Sequence, residues 1–156
     1  MGDLNEPGII ERAIALAEIH ATLGAYAVAA RDSSSLEEKL DTLTPDAEID
    51  LPTGLRMRFA DFFTGNPGNR DRYFRHHVTS VAVRFTGKDT AEAISQIFAI
   101  TGQATPDHWG EWRDTLVKVE SGRWLIKEKI IVVDNWDPKG WYAGAFGSQT
   151  HRDRPQ

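Results

Sequence analysis

The chain has 156 residues, of which 40% are hydrophobic and 26% charged, a size and composition typical of one globular domain with a sizeable core. The formal net charge of −5 argues against nucleic-acid binding, and the lack of cysteine excludes disulfides, thiolate nucleophiles and cysteine-ligated metals. No apolar run approaches the roughly 20 residues that cross a bilayer, and the acidic start does not resemble a signal peptide, so we expect a cytoplasmic protein without a membrane partner.

Two helices are predicted in the first third of the chain. The first begins near Asn5 and Pro7, both typical of a helix start. Its apolar positions at helical spacing predict a buried face made of Ile9, Ala13, Leu16, His20, Leu23 and Ala27. A second, shorter helix follows a capping box in which Ser34 is the cap and Glu37 lies three positions later.

The rest of the pattern is mainly that of strands. A short strand over 47–51 and an ambiguous stretch over 55–69 come before four long strands, which we predict at 76–85, 91–101, 111–119 and 124–133. Helices followed by an antiparallel meander indicate an α+β domain, here residues 1–134. The aromatic and glycine-rich tail, residues 135–156, is expected to act as a lid or a subunit contact.

Two adjacent histidines, His76 and His77, open the longest strand. The unperturbed pKa of histidine lies nearest neutrality, so its side chain can both take and give a proton. Strict alternation places His77 on the more apolar face of the strand, together with Val81 and Val83. A bulge near the start of the strand would shift this phase and turn His76 inward instead.

Three stretches of the chain resemble the SnoaL-like branch of the nuclear transport factor 2-like superfamily. The similar segments, with the motifs that carry the resemblance, are 19–47 with Tyr26, Asp32 and Pro45-Asp46-Ala47; Arg75-His76-His77-Val78-Thr79-Ser80; and 110–126 with its Gly-Arg-Trp. The resemblance covers roughly residues 9–134, most of the one domain that the length allows. It implies a curved antiparallel sheet wrapped with N-terminal helices into a cone, a cystatin-like α+β roll.

The resemblance also implies a catalytic pair, Asp32 and His76, in an enzyme without metal or cofactor. A carboxylate that holds an imidazole fixes its tautomer and raises its basicity. Such a pair would support dehydration, elimination of a hydrogen halide, isomerisation or cyclisation of an apolar small molecule, as in scytalone dehydratase, hexachlorocyclohexane dehydrochlorinase and polyketide cyclases. His77 is held as the substitute for His76. The alternatives are that Asp32 caps the serine-rich turn and that both histidines bond backbone at a strand end.

Further residues are candidates for substrate binding. Tyr26 either donates a hydrogen bond into the pocket or packs in the core. Trp112 and Arg113 alternate on their strand, so only one of them points inward. Lys129 takes the place of a basic residue that assists the leaving group in the dehydrochlorinase, although an exposed lysine is the commoner outcome. The second histidine of scytalone dehydratase has no evident counterpart, and His108 is expected in a loop.

No metal site is predicted, because His76 and His77 point to opposite faces of a strand. The rival interpretation is a non-catalytic small-molecule-binding or assembly domain of the same fold. Members of this fold often pair through their sheets, so we expect a homodimer or homotrimer, with no nucleic-acid partner.

Overall fold

The computed structural model describes residues 8–31, 33–65 and 73–147. Its elements, in chain order, are α1 (Ile9–Ala29), α2 (Leu36–Leu40), β1 (Leu43–Asp50), β2 (Arg56–Arg58), α3 (Phe59–Gly65), β3 (Phe74–Gly87), β4 (Thr90–Thr101), β5 (His108–Lys118), β6 (Trp124–Trp136) and α4 (Trp141–Phe146). None of the helices in these ranges combines the length and hydropathy needed to span a membrane.

The six strands form one open, curved sheet in the order β2-β1-β6-β5-β4-β3. Neighbouring strands are antiparallel except β1 and β6, which run parallel. Helix α1 packs against β3 and β6, so the inner face of the sheet and the helix enclose the core. The predicted α+β class is therefore confirmed, with one parallel pair in place of a wholly antiparallel sheet.

The buried face of α1 differs from the predicted one. Its buried residues are Ala15, Ile19, Leu23, Tyr26, Ala27 and Ala29, whereas Ile9 is 87% exposed and His20 is exposed. The prediction of His20 as a core residue is wrong. Alanines of this helix lie both at buried positions (Ala15, Ala27) and at exposed ones (Ala13, Ala17), and they weigh little in its hydrophobic pattern, so the pattern did not determine the face. Asn5 and Pro7 lie outside the described residues.

Helix α2 begins one residue later than predicted. The backbone N–H of Glu38 donates to Ser35 Oγ, and the Glu38 carboxylate accepts from the Ser35 N–H at 2.8 Å. These two bonds form the capping box that the sequence assigned to Ser34 and Glu37.

A bulge in β3 settles the phase of the two histidines. The register with β4 shifts between Val78 and Ser80, so one extra residue of β3 lies in the bulge. Before the bulge His76 and Val78 point to the inner face, and after it Val81 does. The outward residue at the start of the strand is therefore His77.

Small side chains on the inner face of β4 make room for large ones on its neighbours. Ala93, Ser95 and Ala99 are each no more than 1% exposed, and they alternate along the strand. Trp112 of β5 lies opposite Ser95 in the register and packs into this space against Tyr26 of α1. Small residues on one strand thus allow a tryptophan of the next strand to lie on the inner face of the sheet.

Candidate active site

A cavity lies between the inner face of the sheet and helices α1, α3 and α4. The empty space in and around it is about 780 Å³, part of which is open solvent at the mouth. Eight of its sixteen lining residues are aromatic, namely Tyr26, Phe62, Phe63, Phe74, Trp112, Trp141, Tyr142 and Phe146, and six are aliphatic. Among the described residues, no lysine, arginine, aspartate or glutamate lines this cavity. Such a lining suits an uncharged ligand with apolar rings.

The remaining two lining residues are the histidines His76 and His108. In the sheet register both lie opposite Ala99 of β4, one on each side, so they share one row of the inner face. Because Ala99 carries only a methyl group, the two rings lean toward each other and their centroids are 5.9 Å apart. The row therefore places two imidazoles on the same wall of an apolar cavity.

The His76 ring is fixed between aromatic neighbours. Its centroid is 4.9 Å from that of Phe74 and 4.9 Å from that of Trp112, both in edge-on geometry. Edge-on aromatic contacts of this kind favour one ring orientation. His76 is thus held at the cavity wall by packing.

A buried carboxylate, that of Asp107, holds His108. Asp107 is fully buried, and its Oδ1 lies 2.8 Å from Nδ1 of His108. Burial alone would raise the pKa of Asp107, but the hydrogen bonds from His108, Thr101 and the backbone of α4 outweigh it and lower that pKa. The carboxylate is therefore ionised at neutral pH, and it accepts a hydrogen bond from the imidazole.

Of the residues predicted from the sequence, Tyr26 and Trp112 line the cavity together with His76. The rings of Tyr26 and Trp112 meet edge to face, with centroids 5.3 Å apart, and both residues are buried. Of the alternating pair Trp112 and Arg113, the tryptophan is thus the inward residue.

Two predicted residues lie on the opposite face of the sheet. His77 is exposed and stacks on Phe98, with ring centroids 4.8 Å apart. Arg113 is exposed and donates to Glu111 Oε1 at 2.6 Å. A side chain on the outer face has no access to the inner cavity. We therefore withdraw His77 as a substitute for His76 and Arg113 as an anion contact in the pocket.

Lys129 is neither exposed nor part of the cavity lining. Its side chain is fully buried beneath the cavity, where Nζ lies 2.6 Å from Asp114 Oδ1. The same Nζ lies 4.3 Å from the ring centroid of Tyr26 and 4.2 Å from that of Trp112. Burial lowers the pKa of Lys129 and raises the pKa of Asp114, against the attraction between them. The predicted contact with a leaving group is not supported by this position.

Asp32 lies outside the described residues, so its pairing with His76 stays a prediction. The residues on either side of it in the sequence are among the described ones. Ala30 lines the cavity, and the Arg31 guanidinium donates to Ser34 Oγ at 2.9 Å. Ala30, two residues before Asp32 in the sequence, thus lies at the cavity wall.

Sequence reasoning missed Asp107 and His108, because it placed both in a loop and began the next strand at Glu111. In the structure β5 begins at His108, three residues earlier. The alternation of His108 with Gly110 and Trp112 was the available signal, since all three share the inner face. No three histidine or acidic side chains in the described ranges are arranged to hold a metal ion.

Comparison with known proteins identifies the family of this chain. A family model described as "SnoaL-like domain" matches residues 11–129, and the chain belongs to that family. Among curated proteins, none matches the chain in sequence.

Solved structures share the fold at low sequence identity. A candidate scytalone dehydratase from Novosphingobium aromaticivorans is 21% identical with a TM-score of 0.69, over 82% of this chain and 89% of that one. The hexachlorocyclohexane dehydrochlorinase LinA-type3 from Novosphingobium barchaimii is 12% identical with a TM-score of 0.72, over 83% and 93%. ActVI-ORFA from Streptomyces coelicolor is 17% identical with a TM-score of 0.60, over 76% and 96%. The fold is therefore that of the nuclear transport factor 2-like superfamily.

Proposed function

We propose that the protein is a cofactor-independent acid–base enzyme, a lyase, isomerase or cyclase, acting on an uncharged apolar small molecule. The observation that carries this proposal is the pair His76 and His108, side by side on one wall of an aromatic cavity. Membership of the SnoaL-like family supports it at the level of reaction class, as do structural neighbours that include a dehydrochlorinase and a candidate dehydratase.

An elimination needs one group to take a proton from carbon and another to give a proton to the leaving group. We retain His76 as the general base and assign His108 as the general acid. His76 takes a proton from carbon, and the electrons of that C–H bond form the new double bond as the leaving group departs. The departing atom receives a proton from Nε2 of the doubly protonated His108 ring, which becomes neutral, and proton exchange between the two rings or with solvent restores the starting state. In an isomerisation, the proton returns to a different carbon of the same molecule.

Asp107 determines which nitrogen of His108 faces the cavity. An ionised carboxylate only accepts hydrogen bonds, so Nδ1 carries a proton and Nε2 is directed away from Asp107. When the His108 ring carries both protons, the carboxylate balances its charge. We propose in addition that Asp32 orients His76 and that Tyr26 donates a hydrogen bond to developing negative charge on the substrate.

The test uses two probes of the expected class. 2-Tetralone has an acidic C–H but no leaving group, so deuterium uptake from heavy water, followed by proton NMR, reports proton removal alone. 3-Hydroxy-1-tetralone loses water to give fluorescent 1-naphthol and reports the complete elimination. We expect the protein to accelerate both reactions and His76→Gln to lose at least about 100-fold in both. His108→Gln is expected to lose more in elimination than in deuterium uptake, because only elimination needs the acid.

A matched control is available in His77→Gln, which removes a histidine one residue away on the outer face and is expected to leave both rates unchanged. Asp32→Asn tests the orienting role of that carboxylate and is expected to slow deuterium uptake. Equal rates for wild type and His76→Gln would overturn the proposal. Tight binding of 2-tetralone without any rate acceleration would instead favour the ligand-binding alternative.

Self-association as a homodimer or homotrimer remains a proposal. The outer face of the sheet exposes Ile94 and Ile130, which lie on either side of Arg113 in the register. Light scattering coupled to size-exclusion chromatography measures the mass directly, and a monomeric mass across the accessible concentrations would refute it.

A further inference from the structure

The carboxylate of Asp107 makes more contacts than orienting a histidine requires. Oδ1 accepts from His108 Nδ1 at 2.8 Å and from the backbone N–H of Tyr142 at 3.0 Å. Oδ2 accepts from Thr101 Oγ1 at 2.9 Å and from the backbone N–H of Trp141 at 2.5 Å. An ionised carboxylate offers about four lone-pair positions, so these four donors use its full capacity. Two of the four belong to the first turn of α4.

Helix α4 is a wall of the proposed active site. Trp141, Tyr142 and Phe146 all line the cavity. The Trp141 ring meets Phe74 edge-on with centroids 4.9 Å apart, and the Tyr142 ring lies 4.8 Å from that of His108. The hydrogen bonds to Asp107 thus attach to the sheet a helix that closes one side of the cavity.

The residue before α4, Gly140, lies so close to the Asp107 carboxylate that it has no room for a side chain. A Cβ at Gly140 would lie 2.6 Å from Oδ2 of Asp107, closer than side-chain contacts allow. Glycine therefore lets the helix backbone approach the carboxylate, and a larger residue would hold α4 away from it.

We propose that Asp107 is a positioning residue that couples the docking of α4 to the tautomer and orientation of His108. With α4 docked, both carboxylate oxygens are fixed and His108 presents Nε2 to the cavity. With α4 released, two of the four donors leave, the carboxylate is free to rotate, and His108 loses its contact with Tyr142. Closing of the cavity and readiness of His108 would then be one event. The catalytic meaning of this coupling rests on the proposed function, but the coupling itself does not.

Asp107→Asn tests the coupling from the side of the carboxylate. An amide has one accepting oxygen and an N–H₂ group that only donates. The Trp141 N–H makes the shortest of the four bonds and is expected to keep the oxygen, so the amide nitrogen faces His108 and Tyr142. His108 can accept from it only through Nδ1. The expected result is a change to the Nε2–H tautomer, seen in ¹⁵N NMR of the ring, together with at least about tenfold faster hydrogen exchange at the Tyr142 amide.

Gly140→Ala tests the coupling by changing the helix, because this variant leaves Asp107 and His108 chemically unchanged. We expect faster exchange at the Trp141 and Tyr142 amides and, with it, a mixture of His108 tautomers in place of one. Asp137→Asn is the matched control: its carboxylate accepts from Lys139 N at 2.7 Å in the same connection, and this substitution is expected to change neither readout. Near-ultraviolet circular dichroism verifies that each variant is folded.

Faster amide exchange in Gly140→Ala with unchanged His108 nitrogens would overturn the coupling, as would an unchanged tautomer in Asp107→Asn. These results are distinguishable from failure of the proposed function. If both readouts change but His76→Gln and His108→Gln keep full rates on the tetralone probes, the coupling stands and the assigned chemistry is wrong.

Discussion

The buried pair Lys129 and Asp114 allows a quantitative prediction about stability. The two residues lie opposite each other on β6 and β5, both side chains are fully buried, and Lys129 Nζ lies 2.6 Å from Asp114 Oδ1. Removing one member of such a pair leaves an uncompensated charge in the core, which typically costs about 3–5 kcal/mol. The whole free energy of unfolding of a domain is about 5–15 kcal/mol. We therefore expect Lys129→Met, which keeps the length of the side chain, to be severely destabilised.

Removing both charges together has a different expected result. Apolar replacement of a buried ion pair is often neutral, or stabilising by about 1–4 kcal/mol, because the cost of desolvating two ions disappears. The double variant Lys129→Met/Asp114→Val is thus expected to be at least about 2 kcal/mol more stable than Lys129→Met alone. It also serves as the control for any change of packing at position 129, since both variants carry the same methionine there.

The pH dependence of the stability of Lys129→Met tests whether the unpaired Asp114 carboxylate causes the destabilisation. In Lys129→Met, Asp114 loses the attraction of the ammonium group, so burial raises the pKa of Asp114 further above its ordinary 3.8. Between 3.8 and that raised pKa, the folded state holds a proton that the unfolded state releases. Stability is therefore greatest at low pH and falls by about 1.4 kcal/mol per pH unit as pH rises through this window.

Urea denaturation at several pH values between about 4.5 and 6.5 measures this slope against the double variant, whose other titrating groups are the same. A Lys129→Met protein as stable as wild type would refute the argument. So would a single variant whose deficit relative to the double variant does not grow with pH, because the carboxylate would then have access to water.

Three other outcomes are expected on the same physical grounds. Gly110→Ala should destabilise the fold by more than about 2 kcal/mol in thermal denaturation, because the new Cβ would overlap the Val132 carbonyl across the β5–β6 bulge, and an unchanged Tm would contradict this. Arg56→Ala removes exposed ion pairs, so we expect only a small loss of stability against urea, which shrinks further as salt is added. A large loss that does not depend on salt would be inconsistent with this. Hydrogen bonds lower the pKa of Asp107 against the effect of burial, so the ionised carboxylate stabilises the fold. The extra stability of wild type over Asp107→Asn should therefore be full above pH 3.8 and decline as the pH falls below that value. A stability difference that grows on acidification would contradict this explanation.

Most of the fold could be predicted from the sequence, because strand and helix periods are local properties. The four long strands lie within a few residues of their predicted places. The ambiguous stretch over 55–69 contains both a short strand, β2, and a helix, α3. The parallel pairing of β1 with β6 was not predictable in this way, since it joins segments about eighty residues apart through contacts that no local pattern records.

The phase of a strand was harder to predict than its existence, and the site depends on phase. One extra residue between Val78 and Ser80 decides that His76 faces the cavity, and plain alternation would have chosen His77. The pattern of residues did not fix the position of that bulge, and it was the resemblance to a family that favoured His76 over His77. Lys129 shows the same limit in another form, because a lysine on a strand is normally exposed and only Asp114 on the next strand permits its burial.

Asp107 and His108 were hidden for a related reason. Reading each residue by its own local pattern placed them in a loop, whereas their role arises from three separate segments that meet at one carboxylate. Thr101 ends β4, His108 begins β5, and the α4 backbone arrives from beyond β6. The four donors that hydrogen-bond to this buried carboxylate are brought together only in the assembled fold. Residues whose partners come from distant segments are therefore where a sequence argument is weakest, and in this protein they include the acid of the proposed reaction.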